Sequence, residues 1–181
     1  MTEQFIQAMQ EKYAGMLEKN HIVITEEEKK NIEICDYNLE MFDEIGTGIV
    51  IYVNTERCCA KELMLLPGQL CPEHLHPAIG EYPGKEETFR CRAGEVYLYV
   101  PGEAVEQPRG HVPENRREHF TVWHEIILRP GEQYTMQPNT RHWFQAGSEG
   151  AIISEFSTQS FDSKDIFTDT GIIRLSNLWS E

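Results

Sequence analysis

The chain has 181 residues, 40% apolar and 10% aromatic, which is enough for one hydrophobic core and short for two full domains. Its 30 acidic against 16 basic residues give a net charge of −14, a field that repels a phosphate backbone and argues against a nucleic-acid partner. No apolar run reaches the roughly 18 residues of a membrane helix, and MTEQFIQAMQEKYAGMLEK carries scattered charges where a signal peptide is apolar. No membrane partner and a cytoplasmic location are therefore expected.

In chain order, Phe5, Ile6, Met9, Tyr13, Met16 and Leu17 recur at helical spacing and predict an amphipathic helix over about 3–19. Thr25 and Glu28 form a T-x-x-E capping box that starts a second helix through Lys30 toward Ile34. From Gly46 the texture turns to short β-rich runs: GIVIYVN, ELMLL, ETFRCR, EVYLYV, HEIIL, QYTM, HWFQAG and AIISEFS. Gly- and Pro-Gly-containing turns separate them, as in a small antiparallel barrel or sandwich. The stretch PGEAVEQPRGHVPENRREHF interrupts this series as a long excursion, suited to a lid, a subunit contact or a decorated hairpin. Its Arg116 and Arg117, beside Arg109, read as a solvated loop, and His111, His119 and His124 have no partner at ligand spacing. The organisation expected is one domain over 1–181: a helical extension (1–45), a barrel (46–160) and a C-terminal arm (161–181).

The densest chemistry lies in PGQLCPEHLHPAIGEYPGKEETFRCRAGEVYLYV, which reads G-x5-H-x-H-x10-E-x6-G. Alternation along a strand places His74 and His76 on one face with Leu75 away. Two imidazoles with the Glu87 carboxylate from the next strand supply three parts of a divalent metal site. His142, after the turn in RPGEQYTMQPNTRHWFQAG, supplies a fourth. Glu87 is preferred to Glu86 because its spacing to Gly94 fits the pattern and Phe89 and Cys91 continue its inward face. Cys71 is set aside, since odd spacing puts it opposite His74 on a regular strand. The five cysteines contain no C-x-x-C pair and read as reduced thiols.

The two glycine-framed segments resemble the two motifs of the cupin superfamily and span roughly 64–157. The lengthened gap GEYPGKEE, PNTRHWFQAG and the downstream SEFST are similar to the D-lyxose isomerase family of small cupin sugar isomerases. The resemblance implies an all-β core, a cupin-type antiparallel β-barrel (jelly roll) with the N-terminal helices packed outside. It also implies that His74, His76, Glu87 and His142 are the ligands of one divalent metal per chain, with Mn²⁺ first and Co²⁺, Fe²⁺, Ni²⁺ or Zn²⁺ as alternatives.

The activity implied is interconversion of D-lyxose and D-xylulose through a cis-enediolate, on a free monosaccharide. Glu155 matches the family's acid/base glutamate in position. Because Ile152 and Ile153 are both apolar, alternation alone leaves its face open. Lys85, two residues before Glu87, is the second catalytic candidate. A non-haem iron dioxygenase and a non-catalytic sugar-binding cupin use the same ligand set and stand as alternatives. In FDSKDIFTDTGIIRL, Asp162, Asp165, Asp169 and Arg174 can bind sugar hydroxyls or belong to an arm that wraps a partner. Exposed sheet edges and the IIRLSNLW tail together predict a homodimer.

Overall fold

A computed structural model describes residues 1–174 of the chain. Helix α1 (Glu3–Lys19) begins at Thr2, whose hydroxyl accepts from Phe5 N, and α2 (Glu26–Lys30) carries the expected Thr25/Glu28 capping box. The second helix stops at Lys30. Glu33–Cys35 does not continue it but forms β1, which pairs antiparallel with β2 (Thr47–Asn54), so the sheet starts earlier than the sequence suggested.

The remaining strands are β3 (Cys59–Leu65), β4 (Leu70–Leu75), β5 (Glu87–Val100), β6 (His124–Leu128), β7 (Gln133–Met136), β8 (His142–Ser157) and β9 (Ile166–Phe167). Among the described residues they form one nine-stranded sheet, in the order β1-β2-β3-β8-β4-β9, with β5 joining β8 to β6 and β7. The sheet curls because β8 serves three neighbours. Its first residues pair with β4, its last with β3, and β5 follows nearly its whole length. No helix among the described residues is long and apolar enough to cross a membrane.

Two pairs of runs that read as separate strands are continuous. ETFRCR joins EVYLYV as β5, and HWFQAG joins AIISEFS as β8. The glycine-containing breaks are bulges, with register shifts between Cys91 and Ala93 and between Gly94 and Val96. Gly94 is obligatory at this corner: its φ is +72°, and a Cβ there would lie 1.9 Å from the Gly150 carbonyl oxygen.

The outer face of β2, β3 and β8 is covered by α1. Tyr13 and Leu17 are fully buried there against Val50, Met64 and Ile152, burial worth about 1.5–3 kcal/mol for a large apolar side chain. Gly48 permits the approach, since a Cβ would meet the Tyr13 ring at 2.5 Å. Tyr13 donates to Gln69 Oε1 at 2.8 Å, locking the helix to the β3–β4 turn. The inner face holds Leu63, Cys91 and Ile153 in register. The tail expected at a subunit interface extends into 175–181, outside the described residues.

Candidate metal centre and sugar cavity

Strand β4 carries His74 and ends one residue before His76, while β8 opens with His142 directly opposite His74. Imidazole nitrogens of these three buried histidines lie within 4.8 Å of one another. Each Nδ1 has an acceptor: Pro72 O for His74 at 2.8 Å, Thr140 O for His142 at 2.9 Å and Asp165 Oδ1 for His76 at 2.6 Å. With Nδ1 so engaged, each Nε2 is the free coordinating atom, the arrangement in which an outer partner fixes a ligand histidine's tautomer.

Glu87, the first residue of β5, brings Oε1 to 3.1 Å from His76 Nε2 and 3.3 Å from His142 Nε2. Neither contact has hydrogen-bond geometry, and both buried nitrogens lack a hydrogen-bond partner. An unsatisfied buried polar atom costs about 1–3 kcal/mol. Two beside one carboxylate oxygen fit a divalent cation, so the residues present suit the metal that the donor set implies.

The electrostatics make His74 and His142 ready ligands, whereas His76 must give up a proton to an ion. Burial, then the neighbouring imidazoles, hold His74 well below its ordinary value, and burial likewise lowers His142. Both are neutral, as ligands must be. Burial pulls His76 down too, but the Glu87 and Asp165 carboxylates outweigh it and lift the ring to about 9. Although burial opposes ionisation of Glu87, Lys85 and the histidines hold it well below the carboxylate range.

His74, His76 and Glu87 line a common cavity whose empty space, its open mouth included, is about 410 Å³. Glu155 faces into it, 3% exposed, which answers the orientation that alternation left open. Lys85 is also buried in the cavity wall. Its Nζ lies 2.7 Å from Glu155 Oε1 and 2.9 Å from Glu87 Oε2, bridging the proposed ligand and the proposed base. These carboxylates outweigh burial and raise the Lys85 ammonium well above its usual value. Glu86, the rejected competitor, is exposed.

Sequence reasoning missed Lys61, an inward cation on β3 directly opposite Glu155. Its signal was a lysine in a strand whose other residues, Glu62 apart, are apolar. Its Nζ donates to both Asp162 oxygens at 2.7 and 2.9 Å and to Ser160 Oγ at 3.0 Å. Arg174 spans Asp165, Glu33 and Asp162 at 3.2, 3.2 and 3.4 Å. Asp162, Asp165 and Arg174 thus line the cavity, but Asp169 does not; it lies 3.0 Å from Arg116 and 3.6 Å from His119. Cys71 also needs correction. A register shift between Cys71 and His74 turns its thiol into the same cavity, where it meets Tyr37 Oη at 3.2 Å. It remains apart from the cluster of three histidines.

Removing Asp162's charge is expected to be costly, because it would leave Lys61 and Arg174 buried with one counter-charge fewer. Breaking a buried pair from one side typically costs about 3–5 kcal/mol. Burial would raise Asp162, but Arg174 and Lys61 hold its carboxyl well below the usual range. Its stabilisation is therefore present above the unfolded value near pH ~4 and is lost as pH falls toward the folded value. Urea midpoints should show Asp162→Asn well below wild type at pH 7, the gap narrowing as pH drops below ~4. A gap independent of pH contradicts this account.

The fold matches solved sugar isomerases. The unliganded L-ribose isomerase of Cellulomonas parahominis superimposes with a TM-score of 0.80 at 15% identity, covering 97% of both chains. Sequence relatives are much nearer. A D-lyxose ketol-isomerase of Thermofilum sp. (strain ex4484_79) is 58% identical over 178 residues, 98% of this chain and 99% of that protein. The D-lyxose/D-mannose isomerase of Thermosediminibacter oceani is 56% identical over 173 residues, 96% of each. A family model described as D-lyxose isomerase matches residues 4–180, so the whole described fold, histidine cluster and cavity included, belongs to a member of the D-lyxose isomerase family.

Proposed function

We propose that this protein is a divalent-metal-dependent aldose–ketose isomerase that interconverts D-lyxose and D-xylulose through a cis-enediolate. One observation carries the reading beyond a bare metal site: Glu155 is buried in the same cavity as His74 and His76 and is joined to Glu87 through Lys85. His74, His76, Glu87 and His142 would hold the ion, with Mn²⁺ the first candidate. A divalent cation held there would supply Lewis-acid polarisation to a bound sugar.

The chain's own groups do the rest. Glu155 takes the proton from C2 of the open-chain aldose and returns it to C1, the work suited to a carboxylate in a partly desolvated site. Its Oε1 accepts from Ser157 Oγ at 3.1 Å as well as from Lys85, which fixes the side chain. Lys85, kept cationic by its carboxylate neighbours, acts as a hydrogen-bond donor toward developing oxygen charge rather than as a base. Lys61 with Asp162, and Asp165 with Arg174, offer fixed polar groups to the remaining hydroxyls.

The test is to incubate metal-reconstituted protein anaerobically with a panel of aldoses and follow ketose by NMR. D-xylulose from D-lyxose without oxygen is expected; no ketose from any aldose sinks the proposal. We also place the enzyme in the cytoplasm, and we read it as a homodimer because Phe156 and Tyr52 are exposed on the sheet. Light scattering should then give a mass near twice the 21.0 kDa chain, and a monomer at high concentration contradicts it.

A further inference from the structure

The excursion between β5 and β6 contributes no residue to the lining of the cavity. Its end is instead fastened behind the ligands. Glu73, adjacent to His74, has a fully buried side chain and accepts four hydrogen bonds from other segments. Thr121 N and Val122 N reach Oε2 at 2.5 and 3.0 Å, while Thr121 Oγ1 and Thr168 Oγ1 reach Oε1 at 2.7 and 2.6 Å. The nearest cation, Arg141 Nη1, stands 3.8 Å away and donates instead to the Thr168 hydroxyl. A buried carboxylate is tolerated only when its lone pairs are satisfied, so Glu73 is accommodated only with excursion and arm both docked.

The position of these ties gives them a purpose. Val122 N donates to Glu73, next to His74, and Val122 O accepts from Trp143 Nε1 at 2.8 Å, next to His142. One loop residue therefore spans the two strands whose histidines face each other. Thr168 adds a second tie: its hydroxyl and its backbone N–H, 3.0 Å from Glu73 O, hold the segment three residues beyond Asp165. Asp165 is the acceptor on His76 Nδ1. Glu73 thus touches the support of all three histidines without entering the cavity.

We propose that Glu73 is a positioning residue of the metal centre, clasping the 101–123 excursion and the 165–169 arm so that the three histidines converge. The proposal rests on the metal reading above. Loss of a direct outer partner of a metal ligand typically weakens binding by roughly 10–100-fold, and Glu73 acts one contact further out.

The experiment titrates metal-free protein with Co²⁺, reading affinity by calorimetry and ligand geometry by the visible d–d absorption. Glu73→Gln should bind Co²⁺ more weakly than wild type by the lower end of that range, roughly 10-fold, with a shifted absorption band. Thr168→Val, which removes the hydroxyl shared by Glu73 and Arg141 but keeps the backbone tie to Glu73 O, should show a smaller loss and carries the test if Glu73→Gln does not fold. Tyr13→Phe, which loosens α1 far from the site, should lower the urea midpoint yet leave Co²⁺ affinity and spectrum unchanged. Wild-type affinity and spectrum in Glu73→Gln, or in Thr168→Val where the first is unfolded, overturns the proposal. An affinity loss in Tyr13→Phe equal to that of Glu73→Gln overturns it too, by reducing the effect to general stability. If wild type itself binds no Co²⁺, the metal reading fails first.

Discussion

Replacing His142 by alanine is expected to abolish tight binding of one divalent ion per chain, and with it turnover. His142 lies opposite His74 on the neighbouring strand, its Nε2 has no other partner, and Glu87 stands 3.3 Å away. Outer partners of metal ligands are worth roughly 10–100-fold in affinity, so loss of a proposed ligand itself should exceed about 100-fold. His76→Ala should behave alike and also strand Asp165, which would keep only Arg174. Two readouts check this: metal content after gel filtration, and the rise in melting temperature on adding metal, present in wild type and absent in the variants. Chelator-treated wild type should lose activity and regain it with Mn²⁺ or Co²⁺. Full activity in metal-free protein ends the metal reading.

The residues predicted as ligands were legible because each belongs to a local pattern. His-x-His on one strand needs only period-2 alternation, and the glycine spacing locates Glu87. The helix over 3–19 was legible for the same local reason. What escaped is non-local or irregular. Cys71 faces inward only because a register shift separates it from His74. Asp165 reaches His76 across 89 residues, a distance no periodicity spans.

The face of Glu155 was illegible because β8 is covered on both sides just before it. Ile152 packs under α1, while Ile153 packs inside the curled sheet. Apolar residues then occur consecutively and the alternation that reveals a half-exposed strand is erased. Lys61 and Glu62 on β3 are both buried for the same reason, which hid an inward lysine beside an outward glutamate. The excursion resisted interpretation because its contacts to Glu73 come from Thr121 and Val122, just past 101–120, and include backbone donors that no side-chain motif announces.

Glu155→Gln is expected to keep the fold and the metal while lowering kcat by roughly 10²–10⁴, the range for loss of a general acid–base group. The substitution is isosteric. Its carbonyl oxygen still accepts from Lys85 and Ser157, and Lys85 retains Glu87 as counter-charge, so thermal stability and Co²⁺ absorption should stay near wild type. What the amide cannot do is take a proton from C2 and release it at C1. Substrate contacts made by the other cavity groups remain, so KM should change much less than kcat. Lys85 cannot take over, because its carboxylate neighbours hold the amine protonated far above neutral pH. In D₂O the wild type should place deuterium at the exchanging carbon, provided the carboxyl proton exchanges before delivery, and the variant should slow label incorporation and ketose formation together. Near-wild-type turnover in Glu155→Gln would move the base to another group in the cavity, while slow turnover with loss of metal would show that Glu155 supports the site instead of moving the proton.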